Sequence, residues 1–211
     1  MPSIQQARSW YSDSDPVHDF AHIERVYQMA EKLAVEEGAD LEIVRAAALL
    51  HDAEGSTSGS ESRTDHHHAS ADFAAEILTK ENWPVDRIAA VQHCIRAHRF
   101  RDNREPPATI EAKVIFDADK LDVIGAVGVM RVVAYAVLAG QPAYAEPSAK
   151  FLATGQGESE EPHSAYHEYL FKLSRIRDRL FTSTARKIAQ ERHAYIAGFF
   201  QRLQEEMKAE R

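Results

Sequence analysis

The chain has 211 residues, a formal net charge of −8, 44% hydrophobic and 27% charged residues, and one cysteine. That length fits one large domain, or one domain carrying an extension, and the acidic balance argues against a duplex nucleic-acid partner, which needs a dense basic surface. Cys94 stands alone, so an intrachain disulfide and a CxxC site are both excluded, as suits a reducing cytosol. The first residues hold no apolar signal core. The longest apolar run, Val123 to Gly140, is broken by Arg131 and falls short of the ~20 residues a bilayer needs. A cytoplasmic protein without a membrane span is the expectation, and a homo-oligomer is left open.

Taken in chain order, the periodic segments read as helix. From Pro16 to Glu37, Val26, Met29, Ala30 and Leu33 recur at three- and four-residue steps, and His18 and His22 extend that line. Asp15 and Pro16 suit an N-cap and a first helical position, and Gly38 suits a stop. Asp40 caps a second helix whose inward stripe is Ile43, Val44, Ala47, Leu50 and His51. Gly55, Ser56, Ser58, Gly59 and Ser60 make a loop. A third helix is expected over about 65–81, and Pro84 opens a fourth carrying Ile88, Val91, Ile95 and His98. Ile110 to Leu138 reads as one or two apolar helices. Residues 140–164, rich in Pro, Gly, Ser and Glu, read as an exposed excursion, and Tyr166 to Lys208 as a pair of amphipathic helices with dense alternating charge. No segment alternates as a strand would, so the expected class is all-α.

The 11 histidines are the unusual feature of the composition, because imidazole is the commonest metal ligand and a frequent acid–base group. They combine with carboxylates in an ordered set: His22, then His51-Asp52 some thirty residues later, then acidic residues within Val114-Ile115-Phe116-Asp117-Ala118-Asp119-Lys120-Leu121-Asp122. Leu49-Leu50-His51-Asp52 sets two polar residues at the end of an apolar helix, where burial is expensive unless they are paired or bound to a metal. Two imidazoles and two carboxylates make a mixed N/O site suited to Mn, Fe, Co, Ni or Zn, and less well to Mg.

The order His, His-Asp, Asp in a helical chain resembles the HD superfamily of metal-dependent phosphohydrolases. The blocks His18-Asp19-Phe20-Ala21-His22-Ile23-Glu24-Arg25-Val26, Ala48-Leu49-Leu50-His51-Asp52 and Asp117-Ala118-Asp119-Lys120-Leu121-Asp122-Val123-Ile124-Gly125-Ala126 are similar to a bacterial subgroup of stand-alone HD hydrolases. Glu191-Arg192-His193 extends the similarity over nearly the whole chain. The resemblance implies a compact helical bundle forming a single domain over 1–211, with a core of about 16–138 and a C-terminal helical pair over about 165–208. It implies a divalent ion held by His22, His51, Asp52 and Asp119, the last placed by its position ahead of Lys120-Leu121. It also implies phosphorylated small molecules as substrates, with a nucleotide preferred. Gly55 stands where some members carry an acidic residue, and Glu54 lies one position earlier.

The expected chemistry is attack of a metal-bound water on phosphorus, with Asp52 or Glu54 orienting or deprotonating it and Lys120 stabilising the transferring group. His18, His68, His98, Arg99 and Arg101 are the candidate substrate contacts, since guanidinium groups suit phosphate oxygens. His93 and His98 lie five residues apart, about 140° around a helix, so both are not expected at one ion. Two other readings stand beside the hydrolase. One is a di-iron HD-type oxygenase, which needs extra histidines such as His68 and His98, and the other is a non-catalytic nucleotide or metal sensor on the same fold.

Overall fold

The computed structural model describes residues 1–11, 20–54, 66–99 and 105–211, and among them the regular structure is helical with no strand. In chain order the helices are α1 (Ile4–Arg8), α2 (Phe20–Glu37), α3 (Leu41–Leu50), α4 (His66–Lys80), α5 (Val85–Ala97), α6 (Ile110–Leu121), α7 (Gly125–Leu138), α8 (Ala149–Thr154), α9 (Ala165–Phe171), a 3-10 helix (Leu173–Arg179) and α10 (Ser183–Met207). The expected Asp15–Pro16 start and the Gly55–Ser60 loop lie outside the described residues, as do His18, Asp19, Arg101 and Arg104. No single described helix is long and apolar enough to cross a membrane.

The chain divides into two compact units. The first comprises Met1–Lys120 with Leu180–Ala185, and α3 is its centre, packed against α1, α2, α4 and α5. The sequence of α3 explains that position. Ile43, Val44, Ala46, Ala47, Ala48, Leu49 and Leu50 are all buried, and a helix apolar on every side needs neighbours all round. Asp40 begins it by accepting from Glu42 N (3.0 Å) and Ile43 N (3.2 Å), and Arg87 of α5 holds the same carboxylate at 2.8 and 3.0 Å. Upstream, Gly38 takes φ +72° and Ala39 N donates to Ala34 O at 3.0 Å, a left-handed stop that glycine adopts without steric cost.

The second unit comprises Leu121–Arg179 and Arg186–Arg211. Residues 140–164 carry more order than their composition led us to expect. Ser148 caps α8 through Phe151 N, Phe151 is buried, and Glu161 gathers donors from Ser148 N (2.7 Å), Ser148 Oγ (2.7 Å), Glu158 N (2.6 Å) and His167 Nε2 (3.0 Å). The expected C-terminal pair is three pieces, because Leu173–Arg179 tightens into a 3-10 helix before α10 starts. Within this unit Arg192 Nη1 donates to the Leu121 carbonyl at 2.6 Å, and its Cγ lies 3.0 Å from where a Cβ on Gly125 would stand. Gly125 also has φ +77°, so both backbone and neighbour require glycine there. The Gly125 block and the Glu191-Arg192-His193 block thus meet at the turn between α6 and α7.

Candidate metal centre

Every residue of the centre belongs to the first unit, and its core is made by helix ends. His51 is the C-cap of α3 and His98 the C-cap of α5. The same local device orients both rings: Nδ1 donates to the carbonyl three residues back, Ala48 O for His51 (2.9 Å) and Ile95 O for His98 (2.5 Å). A carbonyl only accepts, so in each neutral ring Nδ1 carries the hydrogen and Nε2 presents its lone pair. α2 delivers His22 on the buried stripe with Ile23, Val26 and Ala30. α6 brings Asp119, and α4 brings His66 as its first residue.

These side chains form two adjoining groups. His22, His51 and Asp119 are all buried and each offers an atom within 4.8 Å of the others, and Asp52, His66 and His98 do the same beside them. The Asp52 carboxylate links the groups: Oδ2 is 3.7 Å from His51 Nε2, and Oδ1 is 3.5 Å from both His66 Nε2 and His98 Nε2. His22 Nε2 stands 3.5 Å from Asp119 Oδ1. Two ligands on tetrahedral directions at about 2.1 Å from an ion stand about 3.4 Å apart, so the spacing suits donors sharing a cation. His51 Nε2 and Asp52 Oδ1 are buried and make no hydrogen bond among the described residues, a costly state for polar atoms in a protein interior. The donor set and these two atoms fit a divalent ion.

The electrostatics keep the ligands in their binding forms. Burial by itself would raise the Asp52 carboxyl, but the imidazoles of His51, His66 and His98, when protonated, hold it well below the usual range. For Asp119 the same opposition of burial by Lys120 and His22 also leaves the carboxyl low. Burial depresses His98 and keeps its ring neutral. His67, beside the centre, falls to about 4 through burial and the nearby His68 and Arg99.

The sequence-derived candidates therefore divide. His22, His51, Asp52, Asp119 and His98 are brought together. Lys120 is buried, pairs with Asp119 Oδ2 and lies 5.4 Å from the Phe116 ring centroid. The Glu54 side chain is exposed, and its backbone is held by Ser70 of α4, whose Oγ accepts from Glu54 N (3.1 Å) and donates to Glu54 O (3.2 Å). Arg99 is half-buried, while His68, the favoured member of the histidine run, is exposed and outside both groups. The member inside is His66. The buried stripe of α4 shows why: Leu78, Ala74 and Ser70 lead back by four-residue steps to position 66, not 68. His93 is occupied elsewhere, with Nδ1 2.6 Å from Glu105 Oε1 and Nε2 accepting from Ala108 N at 3.1 Å. Asp117, two residues before Asp119, is fully buried but turns to the start of α10, accepting from Phe181 N (2.9 Å), Thr182 N (2.7 Å) and Thr182 Oγ1 (2.7 Å).

Comparison with known proteins reaches the same family. A sequence model of the HD domain matches residues 19–124. The Bacillus subtilis protein YpgQ is 32% identical over 214 residues, covering 98% of this chain and 95% of the relative. A crystal structure of YpgQ in complex with ADP superposes with a TM-score of 0.72 over 97% of each chain. An HD-superfamily hydrolase from Bacillus thuringiensis, 26% identical, gives 0.71 over 98% of this chain and 95% of its own.

Proposed function

Because the chain belongs to the HD-domain family, we propose that it is a metal-dependent phosphohydrolase acting on a nucleotide, with its ion held by His22, His51, Asp52 and Asp119. The observation that carries this reading is the buried group of His22, His51 and Asp119, with Asp52 Oδ2 3.7 Å from His51 Nε2 beside it. When bound, a divalent ion there lowers the pKa of its water and neutralises phosphoryl charge. The chain's own residues do the rest. Asp52 orients the attacking water, with Glu54 at the exposed margin to accept a proton. Lys120 Nζ, fixed beside Asp119 Oδ2, offers its ammonium to the phosphoryl oxygens. Arg99 and His68 edge the centre on the α4–α5 side and, with His18 and Arg101, supply positive charge and donors to an anionic substrate. The choice of a nucleotide is supported by the ADP found with YpgQ.

The group Asp52, His66 and His98 would offer donors to a second ion, which supports the dinuclear oxygenase reading. In this arrangement His98 is a ligand rather than a substrate contact. A screen of nucleotides with Mn, Mg, Co, Ni and Fe(II), reading released phosphate and pyrophosphate alongside oxygen uptake and the bound metal, separates the two. Product release without oxygen uptake is the expected result. Oxygen uptake without hydrolysis would transfer the assignment to the oxygenase, and tight nucleotide binding without turnover in any metal would make the chain a sensor.

A further inference from the structure

The last turn of α3 closes early. Ala53 N donates to Leu50 O at 3.3 Å, a three-residue closure, so the Leu49 carbonyl does not receive the amide that another helical turn would bring. The Tyr11 hydroxyl takes that place, donating to Leu49 O at 2.9 Å. One hydroxyl from outside α3 therefore completes the backbone bonding of its last turn, two residues before His51.

Tyr11 is itself fixed. Its ring lies 5.5 Å from that of Phe20 in α2 and packs on the cluster of Ala7, Phe20, Ile23 and Leu49. A phenol keeps its proton at neutral pH, so the hydroxyl is a donor to Leu49 O. Ser70 grips Glu54 on the following part of the turn, and the stretch 49–54 is held by two hydroxyls from different elements. Asp52 lies between them, and its carboxylate must reach His51 with one oxygen and both His66 and His98 with the other.

We propose that Tyr11 is a positioning residue of the metal centre: by holding the Leu49 carbonyl, its hydroxyl fixes the turn from which the Asp52 carboxylate reaches the two donor groups. This rests on the metal-centre reading above. Tyr11→Phe keeps the ring and its packing while deleting the hydroxyl.

Two measurements on the full chain test it: Mn(II) titration of metal-free protein, well below the melting temperature, and residue-resolved amide exchange. The variant should bind Mn(II) about tenfold more weakly than wild type, in the range found for groups that orient metal ligands. Its Ala53 amide, which closes the turn on Leu50 O, should exchange faster while Val44 and Ala47, inside α3, keep their protection. Unchanged Mn(II) affinity overturns the proposal. So does weaker binding accompanied by faster exchange throughout α3, since that pattern means general loosening of the fold. A wild-type chain that takes up no Mn(II) overturns the metal reading instead, and exchange at Ala53 then decides whether Tyr11 holds that turn.

Discussion

Asp117→Asn separates stability from metal binding within one turn of α6. The wild-type carboxylate is fully buried and receives three donors at the start of α10, two backbone amides and the Thr182 hydroxyl. Thr182 Oγ1 in turn accepts from Ala185 N at 3.3 Å, so Asp117 secures the residue that caps the helix. An asparagine oxygen at the Oδ2 position can keep the Thr182 contacts and the longer 3.2 Å contact from Phe181 N, but its NH2 then replaces the oxygen that accepts from Phe181 N at 2.9 Å. A buried donor loses its better acceptor and meets a second donor, at about 1–3 kcal/mol, and the negative charge at a helix N-terminus is lost, at about 0.3–2 kcal/mol. Together these give about 1.3–5 kcal/mol, or roughly 3–20 °C in melting temperature for a chain of this size. Thermal unfolding followed by circular dichroism reads the first effect, and Mn(II) titration below the transition reads the second. Asp117→Asn should melt early and bind Mn(II) as wild type does, whereas Asp119→Asn should lose Mn(II). An Asp117→Asn protein of unchanged melting temperature that no longer binds Mn(II) would refute this division of roles and move the ligand to position 117.

Lys120→Met should lower kcat by about 10²–10³ while sparing Mn(II) affinity, by analogy with the loss of a transition-state charge partner; unchanged kcat with a lowered melting point would leave Lys120 a structural partner of Asp119. Gly125→Ala should destabilise the second unit, because position 125 has positive φ and faces Arg192, and a melting temperature equal to wild type would contradict that account. The Ser148 amide, the Glu158 amide, the Ser148 hydroxyl and His167 hold the Glu161 carboxyl down to about 2. A folded value below the unfolded one of about 4.3 means stabilisation that is complete above pH ~4.3 and lost as pH falls towards 2. The melting difference between wild type and Glu161→Gln should therefore be constant from pH 5 to 7 and shrink below that, and a difference growing towards low pH would reverse the assignment.

Much of the first unit was legible because its signals are local. The Asp40 cap, the Gly38 stop, the Pro84 start and the apolar periods of α2, α3 and α5 are each written within a few residues. His51 and Asp52 stood out as polar, metal-capable groups at the end of an apolar helix, and the family resemblance set His22 and Asp119 beside them. What escaped the sequence depended on contacts between elements. His66 replaced His68 because the register of the buried stripe of α4 was not extended back into the histidine run. Asp117 read as a neighbour of the centre, since nothing local reveals that its carboxylate meets Phe181 and Thr182, more than sixty residues away. Residues 140–164 read as an excursion because composition reports neither the burial of Phe151 nor the donors gathered on Glu161. Tyr11 carried no signal of its own, as a hydroxyl that completes another helix's last turn has no sequence pattern.

The most direct test of the metal-dependent hydrolase is turnover by metal-stripped protein during stepwise addition of Mn(II), with phosphate or pyrophosphate release from a nucleotide as the readout. The account predicts no turnover in the stripped protein, a rate that rises with occupancy and saturates, and none at any Mn(II) concentration in a His51→Ala/Asp52→Ala variant whose helical circular dichroism is retained. Turnover in the stripped protein, or equal turnover in the folded double variant, would contradict it.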